Sequence, residues 1–276
     1  MIAVITAEFR KFFTTRMWWV MLLITVGYSG LMAAGFALLF DFAVDEMMAG
    51  SPDGAAVLNE VLYPLIYPMG AMTGFIFPVL VGAMSVTGEF RHQTITGTFL
   101  AEPRRWRSLT AKLIASLPLG LIYGAATTLA CVGCGGGLMK LLGYSAGLDK
   151  ADTWEVIGRS VWTLVLWTVV GVGFGLLLKN QVASIVVVLA FTQLVEPLLQ
   201  MIPLLTGVAM PFLSYLPMAA GNAVAGGNAL SALGDDSGGN SIIVLLSAPV
   251  GSAVLLAYGL VFAAIGYFVN WRRDVS

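Results

Sequence analysis

Long uncharged runs alternate with short charged ones along this chain. No Asp, Glu, Lys or Arg falls between Arg16 and Asp41, Glu60 and Glu89, Lys112 and Lys140, or Arg159 and Lys179. The same holds between Glu196 and Asp235, and between Asp236 and Arg272. A helix needs roughly 20 apolar residues to cross the hydrocarbon of a bilayer. The runs therefore predict six spans, near 17–40, 66–87, 112–139, 159–178, 181–202 and 245–270. Backbone groups in lipid must be satisfied within their own segment, which selects helices. The expected fold class is an all-α integral membrane protein, one transmembrane domain over residues 1–276. The run after Pro197 is long enough to hide a seventh span. Pro203, Pro211 and Pro217, followed by GNAVAGGNAL, argue instead for a bent or re-entrant hairpin in the outer leaflet, with 203–244 as the extracellular or re-entrant segment.

Finer periodicities sit around and within these runs. Ile2, Ile5, Phe9, Phe12 and Phe13 share one helical face, while Glu8, Arg10 and Lys11 lie elsewhere. Residues 1–16 are thus expected to hold an amphipathic helix along the membrane surface, the other reading being a plain extension of the first span. Glycine pairs at helical spacing, Gly70/Gly74, Gly120/Gly124, Gly133/Gly137 and Gly171/Gly175, predict close helix approach. Pro64, Pro68 and Pro78 bracket or interrupt the second span, and Glu196-Pro197 interrupts the fifth. Kinks there fit either moving walls or packing alone. No strong internal repeat accompanies them, although the second and fifth spans form a weak candidate pair for an inverted repeat.

Composition agrees with the pattern. The chain is 58% hydrophobic and 11% charged, with mean hydropathy +0.89, against about 25% charged in soluble domains. A net charge of −1 hides a sidedness. With six spans, one side carries eleven Lys/Arg and four Asp/Glu, the other three Lys/Arg and eleven Asp/Glu. The basic side, with both termini, is expected to be cytoplasmic, and nothing points to nucleic acid. The first apolar run is too long for a signal-peptide core and is expected to be retained, and no lipidation motif is visible. Cys131 and Cys134 form CxxC inside an apolar span, where small-residue packing fits better than redox chemistry. GVGFG at 171–175 lies in a span without a preceding strand, which excludes a dinucleotide loop.

Charge concentrates in TGEFRHQTITGTFLAEPRRWRSLTAK, Thr87 to Lys112, which also holds the sole histidine, His92. Phe90, Ile95, Phe99 and Leu100 interleave with Glu89, Arg91, His92 and Gln93, and Thr94, Thr96 and Thr98 follow. A short amphipathic helix there suits docking, with apolar knobs for a partner's groove and charges to orient it. Arg104, Arg105 and Arg107 fit contact with lipid phosphates, and Trp106 a headgroup anchor.

This loop resembles the one after the second span in bacterial ATP-binding-cassette (ABC) exporter permeases of the type-2 class. The matching positions are Glu89, Phe90, Arg91, His92, Thr94, Ile95, Pro103, Arg104, Arg105 and Lys112, with Gln93 where many relatives have Gly. AEFRKFFTTRMWW similarly resembles the family's elbow helix. The resemblance implies a permease subunit that pairs with a second copy and docks two cytoplasmic ABC ATPase chains, which carry ATP and Mg, through a coupling loop at 88–105. The docking residues it implies are Glu89, Phe90, Arg91, His92, Thr94, Ile95, Phe99 and Leu100. The path it implies between the second and fifth spans holds Met72, Phe75, Phe77, Phe191, Gln193 and Glu196. A path rich in Met and Phe suits hydrophobic or amphipathic cargo moved outward by alternating access, the other reading being that these side chains face lipid or neighbouring helices.

The residues themselves limit the chemistry. None of the five lysines follows a glycine, so no P-loop is present, and the chain is expected to be a non-enzyme without its own cofactor. A single histidine excludes a His-rich metal site, and the acids Asp41, Asp45, Glu46, Asp53, Glu60, Asp149, Asp152 and Glu155 lack calcium-loop spacing. Glu89 is open to pairing with Arg91 or with a partner cation. Glu196 has two readings, an ion or proton site in the path or a water-exposed rim carboxylate beside Pro197. The first would suit an ion-coupled secondary carrier working without an ATPase. A membrane-embedded enzyme lacks a catalytic cluster to support it.

Overall fold

This computed structural model describes residues 1–47, 64–178, 180–226 and 246–271. Asp53, Glu60, the Lys179 turn, residues 227–244 of the expected hairpin, and Arg272 and Arg273 lie outside the described residues, as do the side chains of Asp45 and Glu46. Regular structure among the described residues is helical throughout. Among the described residues six helices are long and apolar enough to cross a membrane: Met17–Phe42, Pro64–Arg91, Arg105–Leu141, Ala151–Leu177, Gln181–Pro203 and Ala248–Asn270. They are called the first to sixth spans below. The chain is a multi-pass membrane protein by this measure, with span positions close to those expected.

The fourth span is the central pillar. Its apolar stretch is 78% buried, against 28% for the first span and 22% for the fifth and sixth. It packs against the second, third and sixth spans. Small residues make this possible. A Cβ on Gly171 would stand 2.2 Å from the Val79 carbonyl oxygen, and one on Gly173 would stand 2.5 Å from that of Gly259. GVGFG is therefore a two-sided helix contact. Gly120 and Gly124 of the third span lie against the fourth in the same way, and Gly70 against Thr127 and Cys131. The Gly133/Gly137 pair differs from expectation, since among the described residues nothing lies within 4 Å of a Cβ placed on either. Cys131 is buried and Cys134 exposed, both as free thiols beside the first span, as packing predicts.

The prolines mark real breaks. In the second span a short helix, Met69–Thr73, starts after Pro68 and ends at Gly74, and a new helix runs Ile76–Arg91 with Pro78 in its first turn. The fifth span runs as Gln181–Ala190, a wider π-helical turn Phe191–Val195, then Glu196–Thr206 with Pro197 near its start. Proline lacks the N–H that a continuous α-helix would use, and the wide turn accommodates that loss. After Gly207 the chain turns back through Pro211–Tyr215 into a short helix, Pro217–Ala225. Ala220, Ala223, Val224 and Ala225 of that helix are buried, and Gly221 sits against the Trp167 indole of the fourth span.

Candidate functional site

One end of the bundle gathers the N-terminal helix Ile2–Phe13, the segment after Arg91, the start of the fifth span and the end of the sixth. The second span stops there in a defined turn. The Gln93 N–H donates to the Phe90 carbonyl at 3.3 Å and the Thr94 N–H to that of Glu89 at 3.0 Å, a Schellman-type stop. Such a stop places one residue in the left-handed region, and Gln93 is there with φ 56°, alone among the described non-glycine residues. Gln93 thus holds a backbone conformation that glycine adopts without strain.

The loop helix Ile95–Ala101 follows. Ile95 is buried with Val86, Val172, Leu176 and Ala263, and Phe90 and Phe99 pack at the margin. Arg105 lies over the Phe99 ring at 4.9 Å and Arg107 over Trp106 at 5.6 Å, so both guanidiniums are engaged within the chain. Arg91, His92, Thr94 and Leu100 are exposed, Leu100 at 79%. The Arg91 Nη1 donates to Gln181 Oε1 at 3.3 Å, linking the loop to the fifth span. The eight expected docking residues therefore divide. Arg91, His92, Thr94 and Leu100 face out, whereas Glu89 and Ile95 are inside and Phe90 and Phe99 only partly covered.

Glu89 corrects the sequence reading most. It pairs neither with Arg91 nor with the surface. Its Oε1 accepts from Lys11 Nζ at 2.7 Å and Lys112 Nζ at 2.8 Å. The same ammoniums reach Glu8, Lys11 at 2.9 Å on Oε1 and Lys112 at 2.7 Å on Oε2. Four charges thus close a ring that ties the N-terminal helix to the second and third spans. The Lys112 side chain has no exposed surface, and those of Glu8 and Glu89 are each 7% exposed. Charges in such a place persist only when each is paired. Burial pulls the Lys11 ammonium down, but the hydrogen bond to Glu89 and the charges of Glu89 and Glu8 outweigh it and hold Lys11 above its ordinary 10.5. Sequence reasoning placed Glu8 on the polar face and Lys112 only at the mouth of a span. Glu8 is in fact the buried residue of its helix, while Ile2 is 83% exposed. One signal was present. Lys112 is the last charge before a long apolar run, a position where an ammonium needs a partner.

Beside the ring lies a cavity of about 420 Å³, lined by the N-terminal helix and the second and third spans and reaching His92 and Thr94. No group of three or more His, Cys, Asp or Glu residues suited to a metal occurs among the described residues.

The expected path residues have different surroundings. Phe75 is buried and stacked on Trp167 at 4.5 Å, and Phe77 meets Tyr28 edge-on at 5.4 Å. Met72 and Phe191 are half-buried and Gln193 is exposed. Glu196 is fully buried, which corrects the exposed-rim reading. Its carboxylate accepts the backbone N–H groups of Met218 at 2.9 Å and Ala219 at 2.7 Å, and the Gln200 amide at 3.3 Å. It caps the helix Pro217–Ala225, where the helix dipole favours negative charge.

Comparison with known proteins adds no family, since no family model and no curated sequence matches this chain.

Proposed function

We propose that this chain is the membrane subunit of an ATP-driven exporter, docking a separate cytoplasmic ATPase through residues 88–105 and moving a hydrophobic or amphipathic substrate outward by alternating access. What supports the reading is the division of the loop: Arg91, His92 and Thr94 at the turn and Leu100 on the short helix Ile95–Ala101 are exposed, while Ile95 of that helix is fixed in the bundle. An exposed Leu among polar residues is the pattern of a helix that enters a partner's groove. On this reading the N-terminal helix is an elbow at the cytoplasmic surface, both termini are cytoplasmic in the cell membrane, and 203–244 is extracellular or re-entrant. Two copies pair, two ATPase chains bring ATP and Mg, and the ion ring transmits their movement to the second and third spans. Glu89 is then a positioning residue behind the docking face.

The test is affinity purification of the full chain from its native membrane. The reading expects a nucleotide-hydrolysing subunit to co-purify, and Leu100→Asp to abolish that association while the variant still elutes as a folded species. Purification without such a subunit, together with gradient-driven transport by this chain alone in vesicles, would replace the reading with an ion-coupled carrier. The buried Glu196 is the one observation favouring that alternative, although its carboxylate is already engaged by two backbone donors.

A further inference from the structure

The second half of the fifth span is loosely held. Leu198, Met201 and Leu205 are 57%, 51% and 79% exposed, and Glu196–Thr206 has no broad contact with another span among the described residues. Its anchor is the side chain of Glu196, the first residue after the wide turn Phe191–Val195. Oε2 accepts the Met218 N–H and Oε1 the Ala219 N–H, so both oxygens serve the start of the helix Pro217–Ala225. From the other side, the Tyr258 hydroxyl of the sixth span donates to the Tyr215 carbonyl at 3.1 Å. The corner 215–219 is thus clasped between the fifth and sixth spans, and the helix that it starts packs on the fourth and sixth.

This carboxylate is buried without a cation. Among the described residues no Lys, Arg or His faces it, and its polar partners are the two backbone N–H groups and the Gln200 amide. Tyr258 is the titratable group within reach of its charge. The helix Pro217–Ala225, the turn Phe191–Val195, the short helix Met69–Thr73 and residues 160–177 of the fourth span contain no ionisable side chain, and Tyr215 is 49% exposed. Neutral donors at a helix start therefore sustain the charge alone. A proton on either oxygen turns an acceptor into a donor that faces a backbone N–H. It also removes the charge that strengthens the bond on the other oxygen.

We propose that Glu196 is a proton-operated latch: its carboxylate fixes the corner 215–219 to the fifth span, and protonation frees the segment Glu196–Thr206 to swing at the turn Phe191–Val195. A π-helical turn suits a pivot, because its wider bonding already departs from the regular ladder. The latch lies far along the fifth span from the loop proposed to dock an ATPase, and neither proposal depends on the other.

Distances between spin labels, measured by double electron–electron resonance on the full chain in lipid nanodiscs, test it. Cys134→Ser removes the exposed native thiol. Labels go on Gly158→Cys of the fourth span, where a Cβ meets nothing within 4 Å, and on the exposed Leu205→Cys of the fifth. Dilution with unlabelled chains restricts the reading to distances within one chain. Titration from about pH 9 to about pH 4 should replace one distance population by a second with a single midpoint. Glu196→Gln, which carries no charge, should show the acid population at every pH. Tyr258→Phe keeps the ring but deletes the clasp from the sixth span, so the midpoint should rise by up to about one pH unit, the roughly tenfold worth of a hydrogen bond. A distribution unchanged over the titration would overturn the proposal. So would an acid transition that persists in Glu196→Gln, or a midpoint that Tyr258→Phe leaves in place.

Discussion

At the scale of single residues, the end of the second span shows how little room sequence leaves for chance at a turn. Gln93 adopts a left-handed backbone at φ 56° because the Schellman bonds demand it. A Cβ there is strained, so Gln93→Gly should raise stability by about 0.5–1 kcal/mol, seen as a higher unfolding temperature in detergent. Lys112 is the opposite case. Lys112→Met removes two ion pairs and leaves Glu8 and Glu89 buried with half their partners, so unfolding should become easier by about 3–5 kcal/mol, measured by thermal or denaturant unfolding. Lys11 sets a pH limit. Its folded pKa lies above 10.5, so its contribution to stability is complete below the unfolded value and is lost as pH rises through the higher folded one. Unfolding followed into the alkaline range should show this loss, and Lys11→Met should remove that part of the pH dependence. Composition revealed that these charges exist and that they cluster near one end. It did not reveal their pairing, because the whole of the first and second spans lies between Glu8 and Lys112 in the chain and the two meet only when the spans pack.

At the scale of elements, helix breaks were legible and their use was not. The discontinuities fall at Pro68, just before Pro78 and just before Pro197, where proline removes a donor, whereas Pro118 and Pro203 lie within helices that continue. The purpose of the break at Glu196 is nonlocal. The wide turn Phe191–Val195 is followed by a glutamate that holds the first N–H groups of the helix Pro217–Ala225. Glu196→Gln offers one acceptor oxygen where the carboxylate now serves two backbone N–H groups and the Gln200 amide. It should cost about 1–3 kcal/mol and speed hydrogen exchange at the Met218 or Ala219 amide, with the spans otherwise intact. The N-terminal helix teaches the same lesson. Its amphipathic period was readable, but the burial of Glu8 against Lys112 was not, because that ion pair joins residues far apart in the chain.

At the scale of the whole molecule, the six-span arrangement turns on one crowded contact between the second and fourth spans. Gly171→Val would drive a side chain into Val79, whose carbonyl oxygen lies 2.2 Å from the Cβ position. The fourth span should then move away from the second, with loss of the folded species in size-exclusion chromatography, whereas Gly137→Ala, whose Cβ would meet none of the described residues within 4 Å, should elute unchanged. The number of spans, their approximate limits and the charged loop between the second and third followed from the sequence alone. Hydrocarbon thickness and the cost of bare charge or open backbone in lipid act on each segment separately. Which span became the pillar, which glycines touch, that Glu89 and Glu196 turned inward, and that a cavity formed beside the ion ring were decided only by tertiary packing. Those outcomes depend on distances between residues far apart in the chain, and periodicity along one segment carries no information about them.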